Sequence, residues 1–331
     1  MRPFRYLRPG DPAAAVEAVA GAPGAAFIGG GTCLVDLMKL DVERPPLLVD
    51  VHALGSGDAI VDTPEGLRID ARARNSDVAL HPLVAAKYPA LSEALLAGAS
   101  AQLRNMATVG GNLMQRTRCA YFRDVGVTAC NKRAPGSGCA AQGGWTRMHA
   151  VVGGSPSCIA VHPSDMCVAL LALDAVVHTR RRKDERTISI ADLHVLPGDH
   201  PERETVLEPG ELITHVVLPR APFAARSRYV KVRDRASFAF ALASAAVALD
   251  LSGSGTIRAA RVALGGVGTK PWRCPEVETA LVGQRASRGV FQRAAALALR
   301  DAHASPDNAF KVELGRRTIV RALERAAGAP T

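Results

Sequence analysis

The chain reads as an α+β protein of more than one domain, and three observations carry that reading. At 331 residues it is long enough for two or three cores. Its opening third alternates short apolar strand patterns with helical ones. After residue 210, four strand patterns follow in close order before two helical patterns end the chain. Apolar residues at 48% and charged residues at 22% are ordinary globular values, so neither disorder nor a membrane bundle is indicated.

Taken in order, Gly24 to Ile28 is a short strand, Gly29-Gly30-Gly31 a turn, Leu34 to Leu40 an amphipathic helix and Pro46 to Val51 a second buried strand. Gly55-Ser56-Gly57 turns the chain into a strand over Leu67 to Ala73, followed by a helix over Pro82 to Ala97. A second glycine turn and a cysteine-bearing segment come next. Met166 to Ala175 is helical, and Val176 to Thr179 is a strand whose hairpin end is the exposed run Arg180-Arg181-Arg182-Lys183. The segment His194 to Gly210, rich in proline, glycine and charge, reads as a surface connection.

The four later strands are Leu212 to Leu218, Arg228 to Val232, Phe238 to Leu251 and Ile257 to Leu264, with Ser252 to Gly255 as a hairpin turn. Helices over Val290 to His303 and Ala309 to Ala327 close the chain, the second opened by Ser305-Pro306-Asp307. A domain boundary falls near residue 220.

A net charge of +10 raises nucleic acid as a partner, but the basic residues are scattered and no reader motif with interleaved aromatics is present. Nucleic-acid binding is therefore set aside. Locally the charge is more informative. Residues 101 to 160 hold seven basic residues (Arg104, Arg116, Arg118, Arg123, Lys132, Arg133 and Arg147) and one acid, Asp124. Such a field favours a pyrophosphate, a thiolate-ligated cluster or an acidic surface, and it also fits a solvated basic face. No stretch reaches the ~18 apolar residues of a membrane span, and Met1 to Tyr6 lacks an apolar signal core, so the expectation is cytoplasm or export in company.

Gly29-Gly30-Gly31-Thr32 between a strand and a helix offers backbone N–H groups that a phosphate can approach closely, although such a triplet also serves as a plain tight turn. Ala107 to Leu113 repeats the chemistry, with the Thr108 hydroxyl and the Asn112 amide added. Two such loops point to a diphosphate-bearing cofactor. Neither matches the dinucleotide G-x-G-x-x-G or the P-loop pattern.

Cys119, Cys130, Cys139 and Cys158 are separated by ten, eight and eighteen residues, without the C-x2-C pairs of zinc ribbons or ferredoxin-like loops. Four of the seven cysteines thus fall in a segment of turn-like composition that includes Asn131 to Gly138, an unusual setting for core thiols. Spacing alone leaves iron–sulfur, zinc, disulfides and inert thiols open. Cys33, Cys167 and Cys274 read as packing residues, His149 and His162 as hydrogen-bonding side chains rather than ligands, and Ser164-Asp165 as a helix N-cap whose aspartate also suits a ribose hydroxyl. G-x-S-x-G, H-E-x-x-H and C-x-x-C are absent, which lowers hydrolase and thiol-redox readings.

Phe27 to Leu34, Ala107 to Leu113, Ser164-Asp165, Lys231 and Val262-Ala263-Leu264-Gly265-Gly266-Val267 occur in an order that resembles the FAD-binding subunit of molybdenum hydroxylases, the xanthine dehydrogenase and aldehyde oxidoreductase family, over essentially the whole chain. The resemblance is greatest to the flavin subunit of bacterial periplasmic aldehyde oxidoreductase, through Arg116 to Cys119, Cys130 to Arg133 and Pro135 to Cys139. In that subtype the extra segment holds a 4Fe-4S cluster. The resemblance thus implies a 4Fe-4S cluster on Cys119, Cys130, Cys139 and Cys158, and it raises iron–sulfur above zinc.

It further implies a two-subdomain FAD-binding fold of the vanillyl-alcohol-oxidase/molybdenum-hydroxylase type, at 1–53 and 54–220 with the insert at about 116–160, plus a C-terminal α+β domain at 221–331 of the CO-dehydrogenase-flavoprotein kind. By matching position, Phe27, Ile28, Gly29, Gly30, Gly31, Thr32, Cys33 and Leu34 wrap the pyrophosphate, and Thr108, Gly111 and Asn112 complete the cradle. Asp165 takes a ribose or nearby hydroxyl, and Gly98, Ala99, Ile213 and Lys231 contact the cofactor. Cys33 stands where the family often has asparagine or serine, which leaves backbone contacts intact and weakens a side-chain hydrogen bond to phosphate.

The implied role is electron transfer. A molybdenum-cofactor large subunit oxidises the substrate, a 2Fe-2S small subunit relays electrons, and FAD on this chain hands them to an external acceptor, with no acid/base residue of this chain required. The compartment implied is the periplasm by co-export with a signal-bearing partner, or the cytoplasm. Two rivals are a self-sufficient flavin oxidase of the vanillyl-alcohol-oxidase type and a non-enzymatic, zinc-stabilised scaffold subunit.

Overall fold

Three separate sheets organise the chain in a computed structural model that describes residues 1–54 and 59–328; the Gly55-Ser56-Gly57 turn lies outside the described residues. The first sheet is parallel, with Leu47–Asp50 between Arg5–Leu7 and Ala26–Ile28. Parallel neighbours need crossovers, and helices Pro12–Ala20 and Leu34–Lys39 supply them. Pro12–Ala20 starts cleanly because Asp11 accepts the Ala14 N–H at 2.9 Å and Pro12 sits at the first helical position. The sequence reading missed both Arg5–Leu7 and this helix. All three strand residues are exposed, so no buried periodicity marks them.

The second sheet is antiparallel and five-stranded, in the order Ile60–Asp62, Gly66–Asp70, Leu212–Pro219, Val176–Arg180 and Glu185–Ser189. Leu212–Pro219 therefore leaves the later strands it was grouped with and pairs between two earlier ones, where Val216 and Leu218 are fully buried. Helices Asn75–Leu80, Pro82–Lys87, Pro89–Ala97 and Asp165–Ala172 pack with it into one core. The expected single helix from 82 to 97 breaks at Tyr88, whose φ of −138° and ψ of 55° leave the α region that Pro89 disfavours for it. The Tyr88 hydroxyl donates to the Leu218 carbonyl at 3.0 Å and pins the break to the sheet.

The third sheet orders Trp272–Arg273, Ile257–Gly265, Ala243–Leu251 and Ser227–Val232, all antiparallel. Every residue from Ala243 to Leu249 is buried. Ala246 and Ala248 face the core of the second sheet, while Ala243, Ala245, Val247 and Leu249 face helices Pro275–Leu281, Arg288–Ala295 and Phe310–Ala327. A strand covered on both faces needs small side chains on the more crowded one, which accounts for its alanines. Phe238 to Leu242, expected as strand, stays outside it, and the penultimate helix stops at Ala295 rather than His303.

No helix among the described residues is long and apolar enough to cross a membrane. Phe291 is 2% exposed at the centre of the C-terminal core. Phe291→Ala is expected to lower stability by about 3–5 kcal/mol, read as a reduced midpoint in chemical denaturation.

Candidate functional site

The glycine turn follows the strand Ala26–Ile28 directly and opens onto a cleft of about 640 Å³ between the first sheet and the second. That size and its mixed lining suit a substantial organic ligand. Gly31 has φ of +70°, a backbone region that side chains other than glycine rarely adopt. The backbone N–H groups of Gly30, Gly31, Thr32 and Cys33 have no hydrogen-bond partner among the described residues. They are thus available to an anionic group.

The second turn behaves differently. The Val109 and Gly110 N–H groups donate to the Ala73 and Ala71 carbonyls at 3.0 and 2.7 Å, and Gly111 N–H donates to Thr108 Oγ1 at 3.1 Å. Thr108 is the N-cap of helix Val109–Leu113, and its side chain is spent on that cap. What this turn offers the cleft is a close-packed wall. A Cβ on Gly29 would lie 2.7 Å from Thr108 Oγ1, and one on Gly30 would lie 1.7 Å from the Met106 carbonyl oxygen.

Of the sequence-predicted positions, Phe27 to Leu34, Thr108, Gly111 and Ile213 line this one cleft. Asp165, Lys231, Gly98 and Ala99 gather elsewhere. Lys231 Nζ donates to Asp165 Oδ2 at 2.7 Å and to the Ala97 carbonyl at 3.2 Å, and the Tyr229 hydroxyl donates to Asp165 Oδ1. Both Asp165 oxygens are therefore engaged. A Cβ on Gly98 would stand 3.4 Å from Asp165 Oδ2, and Ala99 takes φ of +50° beside it.

Ser164 joins the two places. Its hydroxyl accepts the Cys167 N–H at 3.0 Å, as the expected N-cap, and donates to Asn112 Oδ1 at 2.7 Å. Burial pushes the Tyr229 phenol far up, with Asp165 adding to the shift, so it stays a donor. Arg68, Asp70 and His52 also line the cleft and were missed, since each looks like an ordinary polar residue in the sequence.

The four cysteines line one small cavity together with Asn131 and Lys132. A tight hairpin pairs Cys130 with Cys139. Asn131 N–H donates to the Gly138 carbonyl at 2.6 Å, and Gly136 and Gly138 take φ of +84° and +90°. Cys158 arrives on a separate turn at Ser155 to Cys158, and Cys119 from the start of helix Ala120–Arg123. All seven cysteines are free thiols, so the disulfide alternative is not realised. Burial raises Cys119 to about 11 and also raises Cys158, with the neighbouring thiols adding to both shifts. Four such sulfurs around one cavity form a donor set matched to a thiophilic metal centre.

The basic field around these thiols is largely neutralised by acids from distant segments. Arg123 pairs with Asp36 at 2.8 Å and Arg147 with Asp234 at 2.7 Å. Arg116 pairs with Glu43 and with Glu204, the latter at 2.7 Å, and Lys132 pairs with Glu204 at 2.9 Å. Arg116 lines the glycine cleft and Lys132 the thiol cavity, so Glu204 ties the two together. The sequence reading placed Glu204 in a mere surface connection.

Cys167 and Cys274 are buried as expected, while Cys33 lines the cleft and its sulfur accepts the Arg116 N–H at 3.4 Å. His162 accepts the Ser164 N–H at Nδ1, and His194 Nε2 lies 3.1 Å from the Leu113 carbonyl, so it must donate. Burial depresses both rings, His194 to about 4, and both are neutral at pH 7.

Residues 2–221 match the family described as FAD binding domain in molybdopterin dehydrogenase, and residues 228–326 match the CO dehydrogenase flavoprotein C-terminal domain. The aldehyde oxidoreductase FAD-binding subunit PaoB of Escherichia coli (strain K12) is 50% identical over 327 residues, 98% of this chain and 99% of that protein. The glyceraldehyde dehydrogenase medium chain of Sulfolobus acidocaldarius is 25% identical over 282 residues, 85% of this chain and 82% of the other. Reconstituted CO dehydrogenase from Oligotropha carboxidovorans contains a chain that shares the fold, with a TM-score of 0.77 at 23% identity over 99% of both chains.

Burial alone would raise the Glu204 carboxyl, but the charges of Arg116 and Lys132 and their hydrogen bonds outweigh it and hold the group below its usual range. The resulting stability is fully present above the unfolded carboxylate value of about 4.3 and is lost as pH falls through the lower folded value. Glu204→Gln should cost about 1–3 kcal/mol at neutral pH, with the gap to wild type closing on acidification in denaturation series run across that pH range.

Proposed function

The chain belongs to the FAD-binding subunits of the molybdenum hydroxylases, and on that premise we propose that it is the electron-transfer subunit of an aldehyde-oxidising complex, carrying FAD in the glycine-turn cleft and a 4Fe-4S cluster on Cys119, Cys130, Cys139 and Cys158. Electrons would reach it from the 2Fe-2S centres of a small partner, after oxidation of an aldehyde at the molybdenum cofactor of a large partner, and leave to an external acceptor. When bound, FAD supplies one- and two-electron transfer and the cluster supplies single-electron transfer.

One observation carries the FAD assignment. Four successive N–H groups from Gly30 to Cys33 have no hydrogen-bond partner among the described residues, and these residues line a cleft of adequate size. Backbone donors of this kind hold a diphosphate without a cationic side chain. Met106 and Thr108 fix the turn from behind and keep those donors aligned. Ile213 gives the cleft an apolar wall against a planar ring system. Asp165, Lys231, Gly98 and Ala99 serve in this reading as the support from which Ser164 and Asn112 brace the second turn. For the cluster, the supporting feature is the convergence of four thiols from three separate segments on one cavity, which Lys132 also lines and where its charge favours the Cys158 thiolate.

The deciding measurement is an ultraviolet–visible spectrum with iron, zinc and sulfide analysis of the complex, purified anaerobically with co-expressed partners. Flavin bands and about four iron and four sulfide beyond the partners' 2Fe-2S content are expected of four-thiolate ligation. Zinc or no metal would confine the four cysteines to a structural role, and missing flavin would overturn the reading. Gly30→Ala should weaken flavin retention at least tenfold, about 1.4 kcal/mol or more, because its methyl cannot coexist with the Met106 carbonyl. Flavin content of the purified complex checks this.

A further inference from the structure

The thiol cavity has a neighbour that the four-sulfur set leaves unused. His149 Nε2 lies 3.2 Å from Cys119 Sγ. The ring is buried, at 4% exposure, and its Nδ1 has no hydrogen-bond partner among the described residues. Among the other three sulfurs, Cys158 accepts the Ala160 N–H at 3.5 Å and feels the Lys132 charge. Cys119 is the sulfur of the four with a side-chain hydrogen-bonding neighbour among the described residues.

His149 is held from the C-terminal helix. Lys311, fully buried near the start of Phe310–Ala327, donates to the His149 carbonyl at 3.0 Å and to the Gly266 carbonyl at 2.8 Å. Asn308 Nδ2 donates to the Thr146 carbonyl at 3.3 Å, and Asp307 accepts the Thr146 N–H at 3.1 Å. Such a clamp on residues 146 to 149 leaves the imidazole little freedom to leave the sulfur. At that distance the hydrogen shared with the sulfur is one on Nε2.

Tautomer logic gives that N–H its direction. A free thiol can donate to Nε2, but a metal-bound thiolate has no proton and only accepts. Beside a ligating Cys119, a proton must therefore sit on Nε2. We propose that His149 donates an N–H···S hydrogen bond to Cys119 and thereby raises the reduction potential of the cluster; this rests on the reading of the four cysteines as its ligands. Reduction adds one electron from the reductant, with no bond made or broken and no proton moved. The added negative charge spreads onto the ligand sulfurs, so a donor to one of them stabilises the reduced state more than the oxidised one.

The test is a dithionite titration of the whole complex monitored by electron paramagnetic resonance, on wild type, His149→Leu and His149→Gln. The cluster midpoint should move to lower potential in His149→Leu and lie nearer wild type in His149→Gln, which keeps an amide donor. The partners' 2Fe-2S midpoints should not move. An unchanged cluster midpoint in His149→Leu at full iron content overturns the proposal. Electron–nuclear double resonance on wild type with 15N-histidine requires no variant. An exchangeable proton and a nitrogen coupled to the reduced cluster are expected, and their absence overturns the proposal even if His149→Leu fails to assemble. If wild type contains no iron beyond the partners' content, the ligand reading itself has failed and this proposal falls with it.

Discussion

The contact of Gly30 with the Met106 carbonyl is the constraint on which the cleft depends. A Cβ at this position would sit 1.7 Å from that oxygen, well inside van der Waals contact. Two turns from different parts of the chain can therefore meet only because one of them lacks a side chain. Their meeting sets the first sheet beside the second, whose Leu212 shares a core with Val16, Leu47 and Val49. It also divides the work between the turns. The second turn satisfies its own donors on Ala71, Ala73 and Thr108, while the first leaves its donors free toward the cleft. A site with rigid backing and open donors is preorganised, because little conformational freedom is left to lose on binding.

Behind this cleft lies a line of charge. Arg116 faces the cleft, Glu204 takes its guanidinium, and Lys132 carries the chain of contacts to the thiols. Breaking one member of a semi-buried set like this leaves the others uncompensated. The same residues that set the field at one location therefore set it at the other. Lys132 also donates to the Pro201 carbonyl at 2.6 Å, so the cysteine segment is anchored to the 194–210 connection as well as to its own hairpin.

Much of this was legible in the sequence where the signal is local. The glycine triplet between a strand and a helix, the Ser164 cap and the turn-like run between Cys130 and Cys139 announce their own backbone shapes. The break at Tyr88 was legible in principle from Pro89 and was overridden by apolar periodicity. What sequence could not show is what distance hides. The basic field of residues 101 to 160 looked uncompensated because Asp36, Glu43, Glu204 and Asp234 lie outside that window. Likewise, Asp165 matches a cofactor position by order along the chain, yet in space both its oxygens are taken by Tyr229 and Lys231. Leu212–Pro219 reads as the first of a run of strands, and only its partners reveal that it belongs to the sheet before.

That last strand has a consequence for how the protein is made. Leu212–Pro219 sits between Gly66–Asp70 and Val176–Arg180, so the five-stranded sheet cannot close until the ribosome has passed residue 219. All four cavity cysteines are synthesised before that moment. During translation they stand on a segment whose sheet is still missing its central strand, and non-local pairing of this kind forms slowly. The four thiols are thus made before the sheet beside them can close, and the Lys311 contact that holds His149 against Cys119 is made later still.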